Sequence, residues 1–113
     1  MNKREVGTGY EKEACAYLRR EGYDIITVNY RKKIGEIDVI ARDGCTLVFV
    51  EVKYRKSMAQ GGAFYAIGPK KQQTIRRVAQ WYLAEKRIPQ GTQCRFDAVL
   101  IDGEEITHVI NAW

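Results

Sequence analysis

The chain has 113 residues, 45% of them hydrophobic and 29% charged, which is enough for one ordinary globular core and too little for two. Lys and Arg number 19 against 14 Asp and Glu, a formal charge of +5 that suits a polyanionic partner without requiring one. The longest purely apolar run, Leu47-Val48-Phe49-Val50, is far short of a membrane span, and Met1-Asn2-Lys3-Arg4-Glu5 leads into no apolar stretch of the kind a signal peptide needs.

Three widely spaced cysteines, Cys15, Cys45 and Cys94, form no C-x-x-C pair. A disulfide framework and a zinc knuckle are therefore not expected, and reduced thiols in a cytoplasmic protein are the plain reading. His108 is the single histidine, so relays that need two have no material, and His108 itself reads as structural. A catalytic metal would have to be held by carboxylates, which favours Mg²⁺ or Mn²⁺.

In chain order, Thr8 to Glu21 reads as a helix, with Tyr10, Ala14, Tyr17 and Leu18 at helical spacing and Gly22 as its stop. Tyr23 to Tyr30 and Glu36 to Arg42 read as strands with a turn at Ile34-Gly35. Asp43-Gly44 is a two-residue hairpin signal leading into a third strand, Cys45 to Tyr54, which is nearly all apolar at its centre and so belongs mid-sheet. Arg55 to Gly68 lacks periodicity and reads as a loop, with Gln60 and Gly61-Gly62 as candidate substrate contacts or a plain connection. Pro69 opens a second helix whose stripe is Ile75, Val78, Ala79, Tyr82 and Leu83, fading near Arg87. Trp81 falls off that stripe; partial cover by the C-terminus is expected, whereas an exposed Trp81 would point to self-association or base stacking. Arg95 to Ile101 and Glu105 to Asn111, joined by Asp102-Gly103, complete the order helix, three strands, helix, two strands. This is an α/β fold of one domain over residues 1–113, a mixed sheet flanked by helices.

The chemistry concentrates in Gly35-Glu36-Ile37-Asp38 and Glu51-Val52-Lys53. Strand alternation puts Glu36 and Asp38 on one face with Ile37 and Val39 on the other, and Glu51 and Lys53 on one face with Val50 and Val52 on the other. With Asp43-Gly44 as the loop, Arg42 pairs with Cys45, Glu36 lies opposite Glu51 and Asp38 opposite Phe49. Asp38 and Glu51 are then diagonal neighbours, roughly 7–8 Å apart at the backbone. Carboxylates gathered on a half-buried face repel one another unless a cation or proton compensates. A divalent ion held by Asp38, Glu51 and the Val52 carbonyl would do so, with Lys53 beside it to orient water and to stabilise charge developing on a phosphate. Glu11, at the edge of the first helix's apolar face, is either a fourth acid of this group or an exposed first-turn residue. Arg55, Lys56, Lys70 and Lys71 are candidate phosphate contacts, or solvated surface charge.

An acid on a second strand followed by E-x-K on a third resembles the PD-(D/E)xK nuclease superfamily, and the αβββαβ order is similar to its core. At the whole-chain level the sequence resembles the small bacterial YraN-like family of predicted endonucleases. The residues carrying this are Tyr10-Glu11, Ala14, Tyr17-Leu18, Gly22-Tyr23, Asn29-Tyr30-Arg31, Gly35-Glu36-Ile37-Asp38, Leu47 through Lys53 and Arg95-Phe96-Asp97. Ile37 stands in the proline slot, and Tyr10 where the helix block usually has glycine. The resemblance implies a restriction-endonuclease-like fold, Asp38 and Glu51 as metal ligands, Lys53 as the catalytic lysine, and Glu11 as the helix glutamate used by Holliday-junction resolvases of that superfamily. Asp97 is matched as a structural residue. The expectation is a Mg²⁺- or Mn²⁺-dependent nuclease acting on DNA, at structured or branched sites, as a homodimer where two strands are cut. The rival is a non-catalytic nucleic-acid-binding or assembly protein that keeps the fold.

Overall fold

A computed structural model of the chain describes residues 3–55 and 67–113, with side chains described over 9–54 and 67–113. Helix α1 (Lys3–Arg20) is followed by strands β1 (Asp24–Lys32), β2 (Gly35–Asp43) and β3 (Thr46–Arg55), helix α2 (Pro69–Glu85), and strands β4 (Cys94–Asp102) and β5 (Glu105–Val109). The strands form one mixed sheet in the order β1-β2-β3-β4-β5, antiparallel throughout except for the parallel β3–β4 pair. The order read from the sequence, helix, three strands, helix, two strands, is thus present, with β5 ending at Val109 rather than Asn111.

Both helices end for local reasons. Past α1, the Tyr23 amide donates to the Leu18 carbonyl and the Gly22 amide to that of Arg19, with Gly22 at φ +94°. This is a Schellman cap, and its two flanking apolar residues, Leu18 and Tyr23, both enter the core. Past α2 the same two bonds run from Ile88 to Leu83 and from Arg87 to Ala84, with Arg87 itself in the left-handed position and Pro89 blocking continuation.

The sheet is covered on both faces. Ala14 and Leu18 of α1 pack on Val39, Ala41, Val48, Val50, Val99 and Ile101. Ile75, Val78, Ala79 and Tyr82 of α2 pack on Ile37, Ile40, Leu47 and Phe49. The helix α2 lies close on the β1–β2 turn: a Cβ added at Gly35 would stand 2.5 Å from Thr74 Cγ2. Trp81 does not tuck under the C-terminus; it is 56% exposed, and Trp113 instead stacks on Phe96. Arg55 closes β3 rather than opening a loop, while Lys56, Gln60 and Gly61-Gly62 lie outside the described residues.

The hairpin register expected from an Asp43-Gly44 loop is displaced by two residues. Asp43 pairs with Thr46, so the loop is Gly44-Cys45. Gly44, at φ +61°, takes the left-handed position, and Asp43 stays in the strand. A two-residue shift preserves which face each side chain occupies but changes who stands opposite whom. Phe49 faces Ile40, not Asp38, and Val50 faces Val39. The β2–β3 ladder stops there, whereas β2 stays paired with β1 to Gly35 and β3 with β4 to Arg55. The sheet therefore forks between its second and third strands, and Asp38 and Glu51 are the first residues past the last ladder rung. Alternation in β2 breaks at the same point. Ile37 belongs to the α2-side cluster and Val39 to the α1-side cluster, so the two do not share a face as strict alternation requires.

A second polar centre sits under the other half of the sheet. Asp97 is fully buried and accepts from Arg95 Nε at 2.9 Å and the Asn111 amide at 2.9 Å, with His108 Nε2 at 2.7 Å. Arg95 also donates to the Tyr23 hydroxyl at 2.6 Å. Burial pushes the Asp97 carboxyl upward, but the hydrogen bonds from His108, Arg95 and Asn111 outweigh it and hold the group below its ordinary value. His108, flanked edge-on by Tyr17 and Tyr23, is thereby structural, as its place in the sequence suggested. Asp97→Ala is expected to cost about 3–5 kcal/mol, because it strands a half-buried guanidinium, as read by denaturant unfolding. Since the folded value is depressed, the Asp97 contribution is present above about pH 4 and is lost as pH falls further.

Candidate active site at the fork of the sheet

Where the ladder ends, side chains take over. The Val52 amide donates to Asp38 Oδ2 at 2.8 Å, so a carboxylate stands where a strand carbonyl would. The N–H and C=O of one strand residue point to the same neighbour, so the Val52 carbonyl also projects into the fork. Glu51, 6% exposed, hydrogen-bonds to the Asp38 carboxyl. The nearness of Glu51 favours the protonated form of Asp38. Alternation in β3 puts the half-buried Lys53 on the side of Glu51.

Glu11 enters from α1 and is only 9% exposed, which settles its orientation toward the protein. Asn29, in the left-handed region at φ 53°, hydrogen-bonds to it, while Glu11 Oε2 is buried with no hydrogen-bond partner. From α2, Lys71 Nζ reaches Glu51 Oε2 at 3.3 Å. Lys71, a candidate phosphate contact or solvated surface charge, thus also touches the acid centre. Its side chain is half exposed, so this pair is worth little in stability. Lys70 beside it is exposed. Glu36 is not opposite Glu51. It pairs across β1–β2 with Arg31, whose guanidinium binds its Oε2 at 2.8 Å, and so stands at the rim. Of Arg55 only the strand backbone is described.

The electrostatics follow from this crowding. Burial, the hydrogen bond with Glu51 and the charge of Glu51 push the Asp38 carboxyl up to about 9, against the opposing pull of the Val52 amide. Burial also raises Glu11, with Glu36 and Glu51 adding to it and Asn29 and Arg31 opposing. Among the described residues no three His, Cys, Asp or Glu side chains converge as a ready-made metal cage. The Asp38 and Glu51 carboxylates with the Val52 carbonyl nevertheless suit an ion such as Mg²⁺, which takes one or two carboxylates and fills its remaining positions with water and substrate oxygens. Two contributions were not legible in the sequence, the Lys71–Glu51 pair and the Asn29–Glu11 bond; the only local signal for the second is that asparagine tolerates the left-handed backbone.

Comparison with known proteins agrees over most of the chain. Residues 10–101 match the model of a family described as "Uncharacterised protein family UPF0102", the YraN-like family. A relative from Lachnoclostridium phytofermentans is 46% identical over 100% of this chain and 96% of its own length. One from Pseudoalteromonas translucida is 46% identical over 96% of this chain and 88% of its own length. A third, from Serratia proteamaculans, is 41% identical over 100% of this chain and 97% of its own. All three are named as UPF0102 proteins, a name that states no substrate.

The protonated form of Asp38 sets a pH test. The folded value of Asp38 lies above its ordinary 3.8, so its contribution is fully present below about pH 4 and is lost as pH rises toward about 9. Asp38→Asn keeps an oxygen for the Val52 amide and removes the repulsion. In a metal chelator at pH 8 it is expected to raise stability by about 1–3 kcal/mol and to flatten the fall in melting temperature between pH 5 and 9. Equal slopes for the two proteins would show that the carboxyl pair does not carry that fall.

Proposed function

The chain belongs to the UPF0102 family, and from the geometry of its acidic fork we propose that it is a metal-dependent nuclease that hydrolyses phosphodiester bonds in DNA. The observation that carries this reading is the Asp38–Glu51 pair held past the end of the β2–β3 ladder, with Val52 bonded to Asp38 and Lys53 next along the strand. Asp38, Glu51 and the Val52 carbonyl would hold Mg²⁺ or Mn²⁺, with Glu11 in reserve on the α1 side. Once bound, the ion supplies Lewis acidity toward water and neutralises charge on the phosphate.

The chain's own groups do the rest. Asp38 is fixed by the Val52 amide, so its free lone pairs point into the fork. Lys53 orients the attacking water and stabilises charge developing on the phosphate oxygens. Lys70 and Lys71 at the start of α2 lie on the substrate side of Glu51, and Lys71 exchanges its carboxylate partner for a phosphate when the strand arrives. A domain of this size has little surface left for reading base edges, so DNA shape supplies the selectivity, which favours structured or branched substrates. One such centre cuts one strand, and paired cuts call for a homodimer. Three thiols that form no disulfide suit a cytoplasmic setting.

One observation favours the non-catalytic alternative. The Lys71 ammonium already neutralises Glu51 at 3.3 Å, as it would in a protein that has kept the fold and binds nucleic acid without a metal.

Cleavage decides between them. With Mg²⁺ or Mn²⁺, wild-type protein is expected to cut flap or four-way DNA in preference to linear duplex, and EDTA to abolish the reaction. Asp38→Ala, Glu51→Ala and Lys53→Ala are each expected to lower the rate by roughly two to four orders of magnitude. Cutting that survives unchanged in Asp38→Ala or Lys53→Ala would remove the assignment, and binding with no cutting of any substrate would establish the alternative.

A further inference from the structure

We propose that the exposed face made by the β1–β2 turn and the middle of α2, centred on Trp81, is a stacking platform for an unpaired base of a nucleic-acid strand. The proposal deepens the nuclease reading by naming the kind of strand that the protein holds, and it shares that reading's premise of a nucleic-acid partner.

Trp81 is 56% exposed, and Ile34 of the facing turn is 46% exposed. An open recess of about 330 Å³ lies between them, lined also by Lys32 and Lys33, and a neighbouring one of about 300 Å³ extends it to Arg77. The Lys32 ammonium stands 5.8 Å from the centre of the indole and is tied to the Glu85 carboxylate at 2.9 Å. Lys33 and Arg77 have no ion pair among the described residues, so the recess carries two uncommitted cations beside an aromatic face.

That combination selects the occupant. An apolar protein segment laid over Trp81 would strip water from Lys33 and Arg77 and return nothing to them. A nucleotide satisfies both, placing its base on the indole and its phosphate against the cations. The base must be unpaired, because a ring standing on a helix surface cannot reach one inside a duplex stack.

The position of the platform ties it to the fork. Lys70, Thr74, Arg77 and Trp81 recur at helical spacing along one side of α2, and the close approach of Thr74 to Gly35 fixes that side against the turn. Trp81 lies ten residues from Lys71, about 15 Å along the helix axis, and Lys71 touches Glu51. A strand stacked on Trp81 can follow the basic side of α2 to the acidic fork within a few nucleotides.

Binding in EDTA tests this without any cleavage. A short oligothymidylate is expected to quench the fluorescence of Trp81. Trp81→Ala, which leaves an exposed helix position and is expected to melt as wild type does, should weaken binding roughly ten- to hundredfold, with Trp81→Phe recovering most of it. Lys33→Ala and Arg77→Ala should weaken binding and flatten its salt dependence. The proposal fails if Trp81→Ala binds as wild type does, or if an abasic strand of equal length binds as tightly as oligothymidylate. It also fails if sedimentation shows a wild-type dimer that Trp81→Ala dissolves and the oligonucleotide does not, since the face is then a self-association surface. Base-dependent quenching by a protein that cuts nothing would leave the platform standing and overturn the nuclease reading. Flap cleavage equal in wild type and Trp81→Ala would do the reverse.

Discussion

The bond from the Val52 amide to the Asp38 carboxylate is the contact on which the rest of the architecture turns. Every strand amide in a covered sheet needs an acceptor, and past the last β2–β3 rung the neighbouring strand no longer offers one. Asp38 supplies it from its side chain. The substitution lets β2 and β3 separate while each stays bonded to its outer neighbour, so the opening is paid for by a side chain rather than by an unsatisfied backbone. It also fixes one carboxylate oxygen in place and leaves the other free to face Glu51.

Two aspartates in this sheet, Asp97 fully buried and Asp38 half-buried, show how surroundings set the charge of a carboxyl group. Asp97 is ringed by donors from three directions, and its charge is held below the ordinary carboxylate range. Asp38 has one amide donor and another acid for company, and it retains a proton well above that range. The first arrangement is complete and joins β4 to the C-terminal segment. The second would gain from the ion proposed above, because a doubly charged cation would relieve the repulsion that protonation of Asp38 relieves. The orphaned oxygen of Glu11 points the same way: a buried carboxylate with a spare lone pair favours a further positive partner.

Much of this was legible in the sequence, and the parts that were not have physical causes. The stripe Ile75, Val78, Ala79 and Tyr82 and the alternating faces of β3 are local periodicities, and they appear as read. The grouping of Asp38 with Glu51 survived a wrong register because the error was two residues, and a slip of two leaves faces unchanged. Its source was the hairpin. Asp-Gly was read as both loop residues, but only Gly44 has a positive φ, and Gly103 at the end of β4 behaves alike. The faces of Ile37 and Val39 were misjudged because alternation presumes a continuous ladder, and the ladder ends at the site itself. Lys71–Glu51 joins residues 20 apart across a segment with no periodicity, so no local pattern announces it. Partial cover of Trp81 by the C-terminus is not seen: Trp81 is exposed, and Trp113 stacks on Phe96.

Helix α2 touches both the acidic fork and the face around Trp81. Its buried stripe is fastened to Ile37, Ile40, Leu47 and Phe49, which belong to the two strands that diverge at the fork. Anything that spreads those strands therefore moves the seat of the helix. Gly35 pins the same helix to the β1–β2 turn from the side, since no other residue leaves room for Thr74. The first turn of the helix meets Glu51 through the Lys71 ion pair, and its middle faces Ile34 across the open recess. A strand held at both the proposed platform and the proposed metal site would have to span the helix from Lys71 to Trp81, about 15 Å, so the two together would select a length of free strand rather than a base sequence.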